Sequence, residues 1–191
     1  MTADLSRLLN ALGLVAVDTV LVLAFADQVW FRDLPCPICI LQRAGFVAAG
    51  FGLALNLMFC PRPSHYGLAI LSALIGGAIS ADQVLHYVVP GSGSYGNTIF
   101  GLHLYTWAFI AFAAVVVGCG VMLLFDRQFE SALPPSPMTL LPLSAVALLT
   151  LLAVSNVAST LAICGVGLCP EAPSGYLIFH ENLGLVRLES P

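Results

Sequence analysis

Residues 34–43 read LPCPICILQR, in which two cysteines three positions apart are bracketed by prolines and followed by a glutamine and an arginine. Proline at position 37 suits the first turn of a helix, because the N–H group that proline lacks would have no partner there. The stretch therefore predicts a helix that begins inside the motif, with Cys39 in its first turn. The helix dipole and unsatisfied backbone N–H groups favour a thiolate at such a position. We interpret the motif as a reactive dithiol.

The composition of the chain indicates a membrane protein. Of 191 residues, 59% are hydrophobic and 8% are charged, and lysine does not occur. Soluble domains carry about a quarter charged residues. The net charge is −4 and the sequence contains no run of basic residues. A nucleic-acid partner is therefore excluded on electrostatic grounds.

Five apolar stretches are long enough to cross a hydrocarbon core, which takes roughly 20 helical residues. They cover residues 8–26, 38–59, 66–89, 102–125 and 138–163, and proline and glycine cluster between them. A tail begins at residue 164. An alternative for the first stretch is a signal peptide cleaved after Ala24-Phe25-Ala26, but cleavage would leave the dithiol at a new N-terminus, so a retained helix is more economical.

The number of crossings predicts that the two cysteine pairs meet. Four crossings separate Cys36 and Cys39 from Cys164 and Cys169, so both pairs lie on the same face of the membrane. Cysteines that cycle through disulfides belong on an oxidising face. We therefore expect a cytoplasmic N-terminus, with the cysteine pairs and the tail in the periplasm.

Gln42 and Arg43 follow Cys39 at i+3 and i+4, so all three share a helix face. An arginine one turn into a membrane helix is expensive and usually marks a site. Arg43 can hold a thiolate or an anionic oxygen on a reduced acceptor.

A CxxC pair can also belong to a zinc site, a haem attachment site or a structural disulfide. A zinc site would combine two close pairs, whereas the second pair here has the spacing C-x4-C, so we expect no metal. Haem attachment through CxxCH is excluded because Ile40 stands where histidine must be. A purely structural disulfide between Cys36 and Cys39 stays open.

The motif PCPICILQR after a first transmembrane helix, a loop between the third and fourth helices, and GLHLYTWAF at the start of the fourth resemble the disulfide bond formation protein B (DsbB) family over about residues 8–125. The resemblance implies an all-α integral membrane protein with a four-helix bundle. It implies a thiol:quinone oxidoreductase of the bacterial inner membrane that reoxidises a DsbA-like thioredoxin-fold protein and passes electrons to ubiquinone or menaquinone. Carried onto this chain, Cys39 faces the quinone, Cys36 exchanges disulfides and Arg43 lies at a quinone oxygen.

The chain departs from the family in its second cysteine pair. Family members carry that pair in the loop between helices three and four, but residues 90–101 contain no cysteine. We expect Cys164 and Cys169, which follow an additional helix over 138–163, to serve as the shuttle pair, with Gly165 and Gly167 giving mobility. A static disulfide is the alternative. A non-catalytic scaffold subunit of a larger membrane complex is the alternative for the whole protein.

Further candidates lie near the end of the third stretch. The family places a quinone-contacting histidine about seven residues before the loop proline, where this chain has Gln83, so the resemblance makes Gln83, and His86 as its substitute, candidate contacts for the quinone. Beside these, His103 and Tyr105 are weaker candidates, and interfacial anchoring by Tyr105 and Trp107 is the simpler account.

Several polar or small residues receive no function. Cys60 and Cys119 fall toward the opposite ends of their helices. Asp18 has no explanation beyond a conceivable pairing with Asn156. The small residues Ala44, Ala48 and Gly52 predict close helix packing. The tail from residue 170 suits either a short hairpin or an interfacial helix.

Overall fold

The computed structural model describes residues 2–89, 91, 93–129, 140–165, 167, 169–170, 173 and 175–177. In this part of the chain five helices are long and apolar enough to cross a membrane. They are α1 (Ala3–Trp30), α2 (Pro37–Met58), α3 (Pro63–Tyr87), α4 (Leu104–Leu123) and α5 (Leu140–Cys164). The prediction of an all-α membrane fold is confirmed, and each apolar stretch corresponds to one helix.

Local chemistry accounts for where the helices begin. The side chain of Thr2 accepts a hydrogen bond from the Leu5 N–H at 3.3 Å, so α1 begins five residues earlier than its apolar stretch. Pro37 opens α2, as the sequence predicts, and Pro63 opens α3 inside what the sequence suggests is a loop. Proline serves as a first-turn residue in both places.

Helix α2 lies at the centre of the molecule. It packs against α1 and α3, α4 packs against α3, and α5 lies against α1 and α2. Of the small-residue stripe, only Gly52 lies at a close crossing, where an added Cβ would come within 2.6 Å of the His65 carbonyl oxygen on α3. Ala44 and Ala48 instead line a groove between α2 and α5, so the prediction of close packing is wrong for them.

The connection between α3 and α4 contains a short hairpin that the sequence analysis missed. Strands β1 (Thr98–Ile99) and β2 (Leu102–His103) pair antiparallel. Between them Phe100 and Gly101 have φ angles of 51° and 79°, the left-handed conformations of a two-residue hairpin turn. Because residues 102–103 pair as a strand, α4 begins at Leu104.

All the helices alternate in direction, which gives the bundle two ends. The end where α2 and α4 begin, called here the thiol end, also holds the C-termini of α1, α3 and α5. The opposite end, called the far end, contains a buried polar network that joins α1, α2, α3 and a turn after α4. Its side chains are Ser6, Asn10, Asn56, Tyr66 and Gln128, all at most 2% exposed.

Hydrogen bonds in this network are short. Asn10 Nδ2 donates to the Tyr66 hydroxyl at 2.6 Å, Ser6 donates to Gln128 Oε1 at 2.7 Å, and Asn56 Nδ2 donates to Asn10 Oδ1 at 3.0 Å. Polar groups without water must satisfy one another inside the protein. The network therefore fixes the relative positions of the helices at the far end.

Candidate active site

Cys36 is the N-cap of α2, and its sulfur accepts a hydrogen bond from the Cys39 N–H at 3.2 Å. Hydrogen bonding from the Cys39 side chain and backbone, together with that from Gln83, lowers the pKa of the Cys36 thiol to about 7, against the opposing effect of burial. The sequence analysis expected the start of the helix to favour a thiolate at Cys39. The capping sulfur instead belongs to Cys36, because α2 begins at Pro37 and places Cys39 at its third position.

Gln83 of α3 reaches both sulfurs. Its Nε2 lies 3.7 Å from the Cys36 sulfur and 3.9 Å from the Cys39 sulfur, and its Oε1 accepts from Gln42 Nε2 at 2.8 Å. Gln83 is 2% exposed. The sequence analysis proposed it as a contact for the cofactor, but here its side chain contacts the two thiols and Gln42.

A cavity of about 460 Å³ lies beside the motif, between α1, α4 and the connection that precedes α4. Cys39, Gln42 and Arg43 line one part of it, whereas Cys36 does not. The remaining walls are mainly apolar and include Val20, Leu23, Ala24, Phe100, Leu104, Trp107, Ile110 and Ala114. The cavity therefore combines a small polar region next to one thiol with a long apolar surface.

Two groups from the connecting segments complete the cavity on its loop side. Tyr95 lines it and donates its hydroxyl to the Leu34 carbonyl at 2.5 Å. Burial raises the pKa of the Tyr95 hydroxyl, so this group stays a hydrogen-bond donor at neutral pH. Burial and the nearby Asp27 raise the pKa of the Asp33 carboxyl, which also lines the cavity.

Arg43 is 7% exposed and is held from α1. Its Nη1 donates to Gln28 Oε1 at 2.6 Å, its Nη2 donates to the Ala24 carbonyl at 2.7 Å, and its guanidinium lies 4.8 Å from the centre of the Phe25 ring. Both hydrogen-bond acceptors are uncharged, and the Asp27 carboxylate, which also lines the cavity, acts on the guanidinium through space. This arrangement is costly in a membrane unless a ligand or thiolate uses it.

The sequence analysis missed Gln28. Besides Arg43, it contacts α5 and the tail: its Nε2 lies 2.9 Å from Ser159 Oγ and 3.3 Å from the Tyr176 hydroxyl. Gln28 stands four residues after Ala24 on the same face of α1, two residues before the helix ends at Trp30. A polar residue in the last turn of this helix was the available signal.

The second cysteine pair lies at the thiol end. Cys164 and Cys169 form a disulfide with their Cα atoms 4.4 Å apart. Cys164 is buried with Ile40, and Leu34 and Cys169 pack around this small cluster. The disulfide therefore packs against residues that directly flank the CPIC motif, at the end of the bundle that the number of crossings predicts.

Several other candidates lie apart from the thiols. His86 is exposed, stacks edge to face on Tyr87 and does not line the cavity, because it points away on the outer side of α3. His103 stacks on Tyr105, and Tyr105 lines the cavity together with Trp107. The Trp107 indole donates to the Ile99 carbonyl at 2.9 Å, which ties the hairpin to α4.

The remaining predictions concern residues without a role. Asp18 is 1% exposed, and among the described residues neither of its carboxylate oxygens has a hydrogen-bond partner, so the pairing with Asn156 is not present. Cys119 is buried in the core. The expected hairpin or interfacial helix of the tail falls largely on residues outside those described.

Comparison with known proteins supports the assignment of the motif. Residues 6–93 match the family model described as Disulfide bond formation protein DsbB, a stretch that contains all but the first three residues of α1, the whole of α2 and α3, and every thiol-end residue of those helices. No curated protein and no solved structure matches the chain. The family is one of membrane proteins of disulfide formation, and the match implies an oxidoreductase in general terms. Over residues 6–93, the chain is similar to the DsbB family.

Proposed function

We propose that the protein is a membrane thiol:quinone oxidoreductase that reoxidises a periplasmic DsbA-like thioredoxin-fold protein. The observation that carries the proposal is the cavity beside the motif. Cys39, Gln42 and Arg43 line it together, and its other walls are mainly apolar. A quinone has this character, with a ring bearing two hydrogen-bond acceptors and an isoprenoid tail.

The residues at the polar region fit a quinone ring. The Arg43 guanidinium carries five N–H donors, and its hydrogen bonds to Gln28 and Ala24 use two of them. Gln42 has a second N–H besides the one that meets Gln83. Donors of this kind, aimed at an oxygen that gains negative charge, stabilise its reduction. A bound quinone would supply the two-electron acceptor.

We propose a relay between the two cysteine pairs. The dithiol of the partner protein reduces the Cys164–Cys169 disulfide by thiol–disulfide exchange, and the partner leaves as a disulfide. A thiolate of the second pair then attacks the sulfur of Cys36 in an oxidised Cys36–Cys39 pair, which releases the Cys39 thiolate and forms a mixed disulfide. The other thiol of the second pair attacks its own neighbour in that mixed disulfide, which releases Cys36 and restores Cys164–Cys169. Oxidation of the two thiols Cys36 and Cys39 finally releases two electrons and two protons, which the quinone accepts.

The arrangement of the thiols supports this order. Cys39 lines the cavity, and Cys36 carries the lowered thiol pKa. Electrons leave through Cys39, the thiol next to the cavity. Cys36 is the group released when its mixed disulfide with the second pair resolves, and its lowered pKa favours that release. We place the protein in the bacterial inner membrane with its N-terminus in the cytoplasm and both cysteine pairs in the periplasm, because paired cysteines that cycle need an oxidising compartment.

Purified protein tests the quinone reaction. With dithiothreitol as donor, we expect ubiquinone-1 to be reduced by the wild type and not by Cys39→Ser, because the thiol next to the cavity is lost. The matched control is Cys60→Ser, a half-buried cysteine at the far end, which keeps the wild-type rate. Wild-type turnover in Cys39→Ser would contradict the proposal.

A second experiment tests the relay. Serine at Cys164 or Cys169 should abolish oxidation of a thioredoxin-fold dithiol protein, while dithiothreitol still reduces the quinone through the first pair. Unchanged oxidation of the protein substrate would identify Cys164–Cys169 as a static disulfide.

A scaffold subunit is the second candidate function. The burial of Cys164, which is 4% exposed, favours it because a shuttle cysteine must reach a partner. Redox behaviour separates the two functions. A catalytic first pair is reduced by mild dithiol and regains its disulfide when quinone is added, whereas a scaffold pair does neither.

A further inference from the structure

Gln28 lies between the cavity and the two parts of the chain that the four-helix family lacks. Its Oε1 accepts from Arg43 Nη1 at 2.6 Å, and its Nε2 approaches Ser159 of α5 at 2.9 Å and the Tyr176 hydroxyl of the tail at 3.3 Å. The Ser159 hydroxyl also approaches Oε1 at 3.3 Å. Gln28 is 5% exposed, whereas its partners Ser159 and Tyr176 are half-buried.

The same Gln28 amide makes the contacts to α5 and the tail through its nitrogen and the contact to Arg43 through its oxygen. The Gln28 amide nitrogen donates to two hydroxyl groups. Because these two bonds orient the amide plane, the amide oxygen points in a fixed direction. That oxygen holds one nitrogen of the Arg43 guanidinium, and the Ala24 carbonyl holds the other. A planar guanidinium fixed at two nitrogens keeps its remaining N–H groups in a set direction, which lowers the entropy lost when a ligand binds.

The tail contact is linked to the second cysteine pair. Tyr176 packs against the cluster that contains Ile40 and Cys164, and Cys169 packs against the same cluster. Movement of the disulfide loop toward a partner would disturb this packing, and with it the bond between Tyr176 and Gln28. The packing of the tail and the orientation of Arg43 are therefore joined through a single buried amide.

We propose that Gln28 is a positioning residue for the cavity, and that α5 and the tail set the affinity of the cavity for quinone through it. This inference rests on the proposed function. With Tyr176 packed as in the structure, Gln28 holds Arg43 ready for a quinone oxygen. With the tail displaced, the amide loses a partner and the cavity binds quinone more weakly, so quinone binding follows the return of the second pair.

Binding can be measured without turnover. The chain has two tryptophans, and Trp107 lines the cavity whereas Trp30 does not. In a Trp30→Phe background, quenching of Trp107 fluorescence by ubiquinone-1 reports occupancy directly. The test compares this background with the same chain carrying Ser159→Ala and Tyr176→Phe together, changes that remove two hydroxyl groups and leave the ring of Tyr176 in place.

We expect the combined variant to raise the Kd for ubiquinone-1 by about threefold to tenfold, the effect of losing one or two net hydrogen bonds. Gln28→Met should raise it further, because Arg43 then loses a buried acceptor. Ser144→Ala is the control on the same helix and should leave the Kd unchanged. Among the described residues, the Ser144 hydroxyl bonds within α5, to the Leu141 carbonyl at 3.0 Å.

The outcomes separate the inference from the function on which it rests. Saturable quenching in the background chain with an unchanged Kd in the combined variant would overturn the inference and leave the quinone function standing. A lower thermal stability with an unchanged Kd would likewise overturn it, because Gln28 would then only join helices. Absence of saturable quenching in the background chain itself would overturn both.

Discussion

At the scale of single residues, the structure predicts unusual reactivity at Cys36. Its sulfur caps α2 and accepts hydrogen bonds from Cys39 and Gln83, so its pKa is lowered from 9.0 to about 7. A lowered pKa means that the thiolate is present above about pH 7 instead of about pH 9. In reduced protein we expect the rate of Cys36 alkylation by iodoacetamide to rise through a midpoint near pH 7, as followed by mass spectrometry.

The companion variant is Gln83→Met, which keeps the volume of the side chain and removes the N–H donor. The midpoint of Cys36 alkylation should move to higher pH in this variant, because one hydrogen bond to the thiolate is lost. Asp82→Asn, an exposed neighbour on α3, is the control and should leave the midpoint in place. A midpoint near pH 9 in the unmodified protein would contradict the role of the helix cap.

Sequence reasoning at this scale found the groups of one helix and missed the contacts between helices. Spacing along α2 placed Gln42 and Arg43 on the face of Cys39, and all three line the cavity. Gln28 escaped notice because its importance comes from Ser159 and Arg43, which lie on other helices. Hydrogen bonds between side chains of different helices produce no periodic pattern in a single sequence.

At the scale of helices, Gly50 marks the place where α1, α2 and α5 come together. A Cβ built on Gly50 would lie 2.9 Å from Leu149 Cδ1 of α5 and 3.3 Å from Val17 Cγ1 of α1. We expect Gly50→Val to lower the free energy of unfolding by about 1–3 kcal/mol, because the larger side chain overfills this crossing. Thermal unfolding in detergent measures the loss.

The control for that variant is Gly118→Val on α4, where an added Cβ would meet nothing within 4 Å. The same substitution in the same kind of helix should leave the stability nearly unchanged. Equal losses in both variants would mean that the introduction of valine itself, and not the crossing of α5 with α1 and α2, is responsible.

Hydropathy located all five helices, because a helix that crosses a lipid bilayer must be predominantly apolar along its length. Hydropathy could not locate the hairpin of residues 98–103. Each of its strands has two residues, which is too short for an alternating apolar pattern to be recognised. It also ended α1 at residue 26, although the helix runs to Trp30. Those last four residues include Asp27 and Gln28, polar groups whose partners lie on other elements.

At the scale of the whole molecule, the five helices bring both cysteine pairs to one end. Cys164 and Cys169 pack beside Ile40 and Leu34, next to the CPIC motif, whereas Cys60 follows α2 at the far end. An additional helix is what makes this arrangement consistent, because a tail after four crossings would leave on the other side. In the proposed relay, the end of the chain then replaces the loop that carries the second pair in the DsbB family.

This topology can be tested in spheroplasts of a bacterium that expresses single-cysteine versions of the chain. We expect a membrane-impermeant maleimide to label the version that retains only Cys169, because the thiol end faces the periplasm in the proposed orientation. The version that retains only Cys60 should be labelled only after detergent is added. Cys169 and Cys60 are both half-buried, so a difference between them reports the side of the membrane and not the depth in the protein. Labelling of Cys60 with protection of Cys169 would show the reverse orientation, and labelling of both from outside would contradict the five crossings themselves.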